Sequence, residues 1–111
     1  TKNHDEATIF LEVSDETEGE FTEIEDFSMR GVTGYEGPTA YKRNGEDKWC
    51  VLIDAFDSDG GYQAFLCDDL SKGKLVHQDG FETPDLFRHG TVMPITAEEY
   101  DRLIDKFGIE E

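Results

Sequence analysis

The sequence predicts an all-β fold: an antiparallel four-stranded meander of the kind that forms one blade of a β-propeller, followed by one C-terminal α-helix. Three observations predict it. Short apolar or alternating segments recur between clusters rich in Asn, Asp, Ser and Gly. One of these segments, "KWCVLIDAF" (Lys48–Phe56), is apolar on both faces, so both sides of its sheet must be covered. Glu36 and His89, each heading a strand and each followed by Gly, stand 53 residues apart, close to the repeat of a propeller blade.

The first strands are expected at Thr8–Val13 and Phe21–Ile24, with "SDETEGE" turning between them. Glu36–Lys42, Lys48–Phe56, Gly61–Cys67 and Leu75–Gln78 then form the meander, broken by "RNGED", "DSDG" and "DDLSKGK", whose residues tolerate turn geometry. "FRHGTVMPI" (Phe87–Ile95) reads as a further strand, which Pro94 ends or confines to an edge. The helix follows at once. Thr96 and Glu99 are spaced as a capping box, Tyr100, Leu103, Ile104 and Phe107 share one face, and Gly108 supplies the stop. Such a stripe is expected to dock against a sheet.

Composition narrows the function. The 111 residues hold 27 Asp and Glu against 10 Lys and Arg, a net charge of −17 that repels nucleic acid and anionic lipid, so neither is expected as a partner. No run approaches the roughly 18 apolar residues of a membrane span. The 8 Phe, 4 Tyr and 1 Trp give the chain aromatic material to bury and set it apart from a disordered acidic tail. Acid is densest over Asn3–Asp26, where it reads as a solvated outer face. The chain opens on "TKNHDEATIF", without a methionine, and is expected to be a fragment or a processed product.

Most chemical motifs fall away. "DAFDSDGG" (Asp54–Gly61) is not an EF-hand loop, because the twelfth residue from Asp54 is Phe65 where a glutamate is needed; Asp57 and Asp59 are assigned to a hairpin turn. A four-residue turn at Asp57–Gly60 would set Cys50 opposite Cys67, within reach of a cross-strand disulfide, with free thiols favoured over the bridge. Neither cysteine has a basic neighbour to make it a nucleophile. His4 and His77 are expected to be exposed and inert. His89 differs, because an Arg-His pair at the head of an inner strand requires an anionic, polar or metal partner. Carboxylate chemistry remains.

At "GYEGPTAYK" and "LFRHGTVMPITAEEYDRL" the chain resembles glycoside hydrolase family 43, the five-bladed β-propeller arabinanases, arabinofuranosidases and β-xylosidases. "FLEVSDETEGEFTEI" is similar to the outer strands of the blade that precedes the acid in that family. The resemblance covers about two of five blades: 1–30 as outer strands of one blade, 34–80 as a complete blade, and 87–111 as the next inner strand plus the helix. It implies Glu36, in Glu36-Gly37-Pro38, as the general acid. It implies Arg88 as a sugar-binding residue and His89 as an axial group beside a metal ion, calcium being the candidate. Tyr35, next to the acid, is a candidate for stacking on sugar; Trp49 is assigned to the core ahead of that role.

The family also needs two aspartates, a base and a residue that tunes the acid, on inner strands that would precede Thr1. No aspartate of this chain is given either role. An inverting glycosidase holds acid and base about 6.5–9.5 Å apart on opposite sides of the bond it cuts, which two blades alone do not supply. The expectation is therefore a partial glycoside hydrolase domain, inactive by itself, whose intact parent hydrolyses arabinose- or xylose-containing plant carbohydrate with inversion. Its open sheet is expected to be covered by the missing blades or by self-association. Two other classes stand beside this one: a non-catalytic β domain that binds carbohydrate or protein, and an acidic interaction protein.

Overall fold

A computed structural model describes residues 7–56, 61–82 and 89–108. It is mostly β. Strands β1 (Glu12–Val13) and β2 (Thr22–Glu23) form a two-stranded antiparallel sheet. Strands β3 (Glu36–Lys42), β4 (Trp49–Ala55), β5 (Gly61–Cys67) and β6 (Val76–Gln78) form a four-stranded one, in chain order and antiparallel throughout. This is the predicted meander, consistent with a propeller blade. The first hairpin is more reduced than the sequence suggests, with two ladder residues on each side and an isolated bridge joining Thr8 to Thr33.

The two-faced apolar pattern of β4 has the predicted consequence: every residue from Cys50 to Ala55 is buried. On one face Val51, Ile53 and Phe65 meet Ile9, Phe27 and Met29, which arrive from the N-terminal segment. Ile53 is fully inaccessible, a burial that stabilises by about 1.5–3 kcal/mol. On the other face Cys50 and Leu52 pack with Tyr62 and Ala64, and Tyr41 and Leu66 flank them.

The N-terminal segment is pinned to the sheet by polar contacts as well. Ser28 donates its N–H to the Gly73 carbonyl at 2.9 Å and accepts the Leu75 N–H on its hydroxyl at 2.9 Å. Gly73 has φ +64, and a Cβ there would stand 3.1 Å from both Leu11 and Phe27, so this crossing requires glycine.

Three expectations need correction. The meander pairs Ala55 with Gly61, so the connection from Phe56 to Gly60 is one residue longer than a four-residue turn. That shift sets Cys50 opposite Leu66 and Cys67 opposite Trp49, on opposite faces of the sheet, and both cysteines are free.

The strand expected over Phe87–Ile95 does not form among its described residues, 89–95. His89 adopts φ +46, outside the β region, and Pro94 has no N–H to donate to a ladder. Instead, Val92, Met93 and Pro94 border a hollow shared with Ala40, Tyr41 and Trp49.

The helix α1 (Ala97–Phe107) has its capping box at Thr96 and Glu99 and its left-handed stop at Gly108, as predicted. It is not docked, however: none of its residues is buried, and Leu103 and Phe107 are 42% and 64% exposed. Caps act within one turn, whereas docking needs a free apolar surface, and the faces of β4 are already filled by their own chain.

Candidate active site

The pairing of the meander builds the site. Glu36, the first residue of β3, lies opposite Asp54 of β4, and Asp54 lies opposite Tyr62 of β5. Directly opposed residues share a face, so three adjacent strands contribute one polar row. The His89–Gly90 segment crosses this row. His89 Nε2 stands 3.5 Å from Glu36 Oε1 and 3.5 Å from Asp54 Oδ2. The next residue, Gly90, donates its N–H to the Tyr62 hydroxyl.

Local backbone makes room for this crossing. The β3–β4 register shifts between Glu36 and Thr39, and Gly37 takes φ +56 within the irregularity. A Cβ on Gly37 would fall 2.9 Å from His89 Nε2, so the ring occupies space that only glycine leaves. Histidine is among the few side chains that tolerate the positive φ taken by His89.

Exposure grades across the cluster. The side chains of His89 and Glu36 are 54% and 31% exposed, and that of Asp54 is 0% exposed. The site thus has a dry carboxylate as its floor and a half-open glutamate at its mouth.

Two carboxylates and an imidazole offer ligating atoms that lie within 4.8 Å of one another. His89 already stands at salt-bridge distance from both carboxylates. Calcium fits this set poorly, because it takes six to eight oxygen ligands and one of these three donors is an imidazole nitrogen.

The predicted site residues separate. Glu36 and His89 come together. Arg88 lies outside the described residues. Tyr35 goes the other way: its ring packs edge-on against Phe65 at 6.4 Å, with the cluster on the opposite face of the sheet. Consecutive strand residues alternate sides, so a neighbour of Glu36 in sequence points away from it in space. Trp49 is half-buried at the start of β4, and Cys67 is no nucleophile, since burial pushes its thiol up and Asp68 and Asp69 add to the effect. His77 bonds Gln63 at 3.0 Å and stacks edge-on against Phe65, exposed and outside the cluster.

Asp54 is the residue that sequence reasoning missed. It falls inside the expected strand Lys48–Phe56 with no role given to it, and it is the fully buried member of the site. The usable signal was an aspartate with Leu52 and Ile53 before it and Ala55 and Phe56 after it. Aspartate is depleted from strand interiors, and a charged residue is almost never fully buried unless it is paired.

One family model, described as a probable glycosyl hydrolase domain and related to glycoside hydrolase family 43, matches residues 1–101. No curated protein matches the chain. No solved structure matches it either.

Proposed function

The chain belongs to a family of probable glycosyl hydrolase domains related to glycoside hydrolase family 43, and from that premise we propose that it carries the general acid of a glycosidase acting on arabinose- or xylose-containing plant carbohydrate. Glu36 protonates the departing glycosidic oxygen. The observation that carries this reading is the state of Glu36: its carboxyl is held on one side by His89 and is 31% exposed on the other, where a ligand can approach. An acid must be fixed and yet within hydrogen-bond reach of the atom it protonates. Arg88 keeps its proposed role in holding sugar, on the family resemblance.

Asp54 is not the base of this reaction. With ligating oxygens inside 4.8 Å, it stands closer to Glu36 than the about 6.5–9.5 Å that leaves room for a water between acid and base. A retaining pair is closer, about 5–5.5 Å, but its nucleophile must touch the sugar, and Asp54 has no exposed surface. The base, with inversion as the outcome, therefore comes from other blades of a complete propeller, in which 34–80 is one blade. Those blades also cover the exposed Val92, Met93 and Ile95 and the apolar stripe of α1.

In the complete protein, Glu36→Gln is expected to lower kcat on aryl arabinosides and xylosides by about 100- to 10,000-fold. Unchanged turnover would remove Glu36 from the acid's role. The second reading is a non-catalytic domain that binds carbohydrate or protein. It draws support from the lack of a second exposed carboxylate in the Glu36, Asp54 and His89 cluster. Binding of xylo- or arabino-oligosaccharide without hydrolysis by the complete protein would decide for it.

A further inference from the structure

We infer that Asp54 and Tyr62 are positioning residues, which together seat the His89–Gly90 segment against Glu36 and so fix the direction in which the acid delivers its proton. The inference rests on the glycosidase reading above and adds to it the residues that aim the acid.

A carboxyl group fully withdrawn from water is expensive, and an apolar residue would pack at this place on β4 without that cost. Asp54 is the only charged residue among the described residues that the fold buries, and its Oδ2 points at His89 Nε2. Glu36 and His89 are both partly exposed and carry side-chain freedom, so neither holds the other in one place. Asp54 sits in the central part of the sheet with strands on both sides, which fixes its carboxyl relative to the backbone of β3.

Two consecutive residues of one segment are gripped by two consecutive members of the row: the side chain of His89 by Asp54, and the N–H of Gly90 by the hydroxyl of Tyr62, itself 2% exposed. A single contact would leave the segment free to pivot; two contacts from neighbouring strands set both its place and its orientation. The emptiness at Gly37 completes the seat, since the ring rests where a Cβ would be.

The function of the seat follows. With a hydrogen on Nε2, the imidazole donates towards both carboxylates, and the fixed one sets the ring from which the mobile one takes its orientation. A donor displaced by about 1 Å can cost about a hundredfold in rate, so the seat matters to turnover without touching substrate.

The test uses the complete protein with two substrates, an aryl glycoside whose leaving group needs protonation and one activated enough to leave without it. Asp54→Asn keeps the shape of the side chain, and Tyr62→Phe removes only the hydroxyl. Each is expected to lower kcat about 10- to 100-fold on the first substrate, with less effect on the activated one and KM unchanged. Crystal structures of the variants should show the His89 ring displaced from Glu36 while the meander stays intact. Equal losses on both substrates, or undiminished kcat on the unactivated one, would overturn the inference. Glu36→Gln is run alongside. If it is impaired while Asp54→Asn is not, the seat is wrong and the acid stands; if it turns over like wild type, Glu36 is not the acid and the inference fails with that role.

Discussion

Tyr41 and Cys50 face each other across β3 and β4, and their contact gives this fold a measurable titration. The hydrogen bond between the phenol and the Cys50 thiol, then burial, push the Tyr41 hydroxyl up from 10.0 to about 12. The folded state thus holds this proton more tightly than the unfolded one. The stabilisation is fully present below pH 10.0 and is lost as pH rises through about 12. Replacing Cys50 by Ala should bring the Tyr41 midpoint back towards 10.0 in a tyrosinate absorbance titration; a midpoint that stayed near its original place would show that the thiol is not the main cause. At this scale the site was half legible. Glu36 and His89 were readable because each sits in a short glycine-marked motif. Asp54 was not, because its meaning comes from a register partner 18 positions earlier, which the residues beside it do not display.

Elements follow local chemistry, and local chemistry is what a sequence displays. The strands β3 to β6 fall within a residue of their expected limits because Asn, Asp, Ser and Gly punctuate them. The Phe87–Ile95 segment failed for the opposite reason: its hydrophobicity suggests a strand, but no paired neighbour accepts residues 89–95. Strand formation needs a partner, and a partner is not a local property. The same contrast makes α1 testable. Its Thr96 hydroxyl accepts the Glu99 N–H at 3.1 Å, and Glu99 reaches back to the Thr96 N–H at 3.1 Å. Thr96→Ala should cost the helix about 1 kcal/mol, read as faster amide exchange over its first turn with the meander unaffected. Faster exchange across β4 and β5 as well would mean that the helix and sheet are one cooperative unit.

The whole molecule is governed by charge and by what its surfaces leave open. A net charge of −17 on 111 residues makes the compact state repel itself. Several lysines sit in exposed ion pairs, such as Lys42 with Asp47 at 2.7 Å and Lys74 with Asp26 at 3.0 Å, too few to neutralise the excess. Raising salt from about 0.02 M to about 0.5 M screens this repulsion and should raise Tm by about 5 °C; a fall would mean that the surface pairs outweigh it. The overall charge and the two-sided burial of β4 were legible from composition and pattern alone. The open stripe of α1 was not, since exposure depends on which surfaces remain after the core has formed.

The contact of Gly37 with His89 ties two distant places in the gene to each other. A Cβ at position 37 would need the ring to move by enough to clear a 2.9 Å approach, and Nε2 would leave both carboxylates with it. A smaller residue at position 89 does not release the constraint, because φ +56 at position 37 still disfavours a side chain. Loss of the histidine with the glycine retained empties the seat but leaves the backbone at position 37 undisturbed, whereas exchange of the glycine strains that backbone and displaces the ring together.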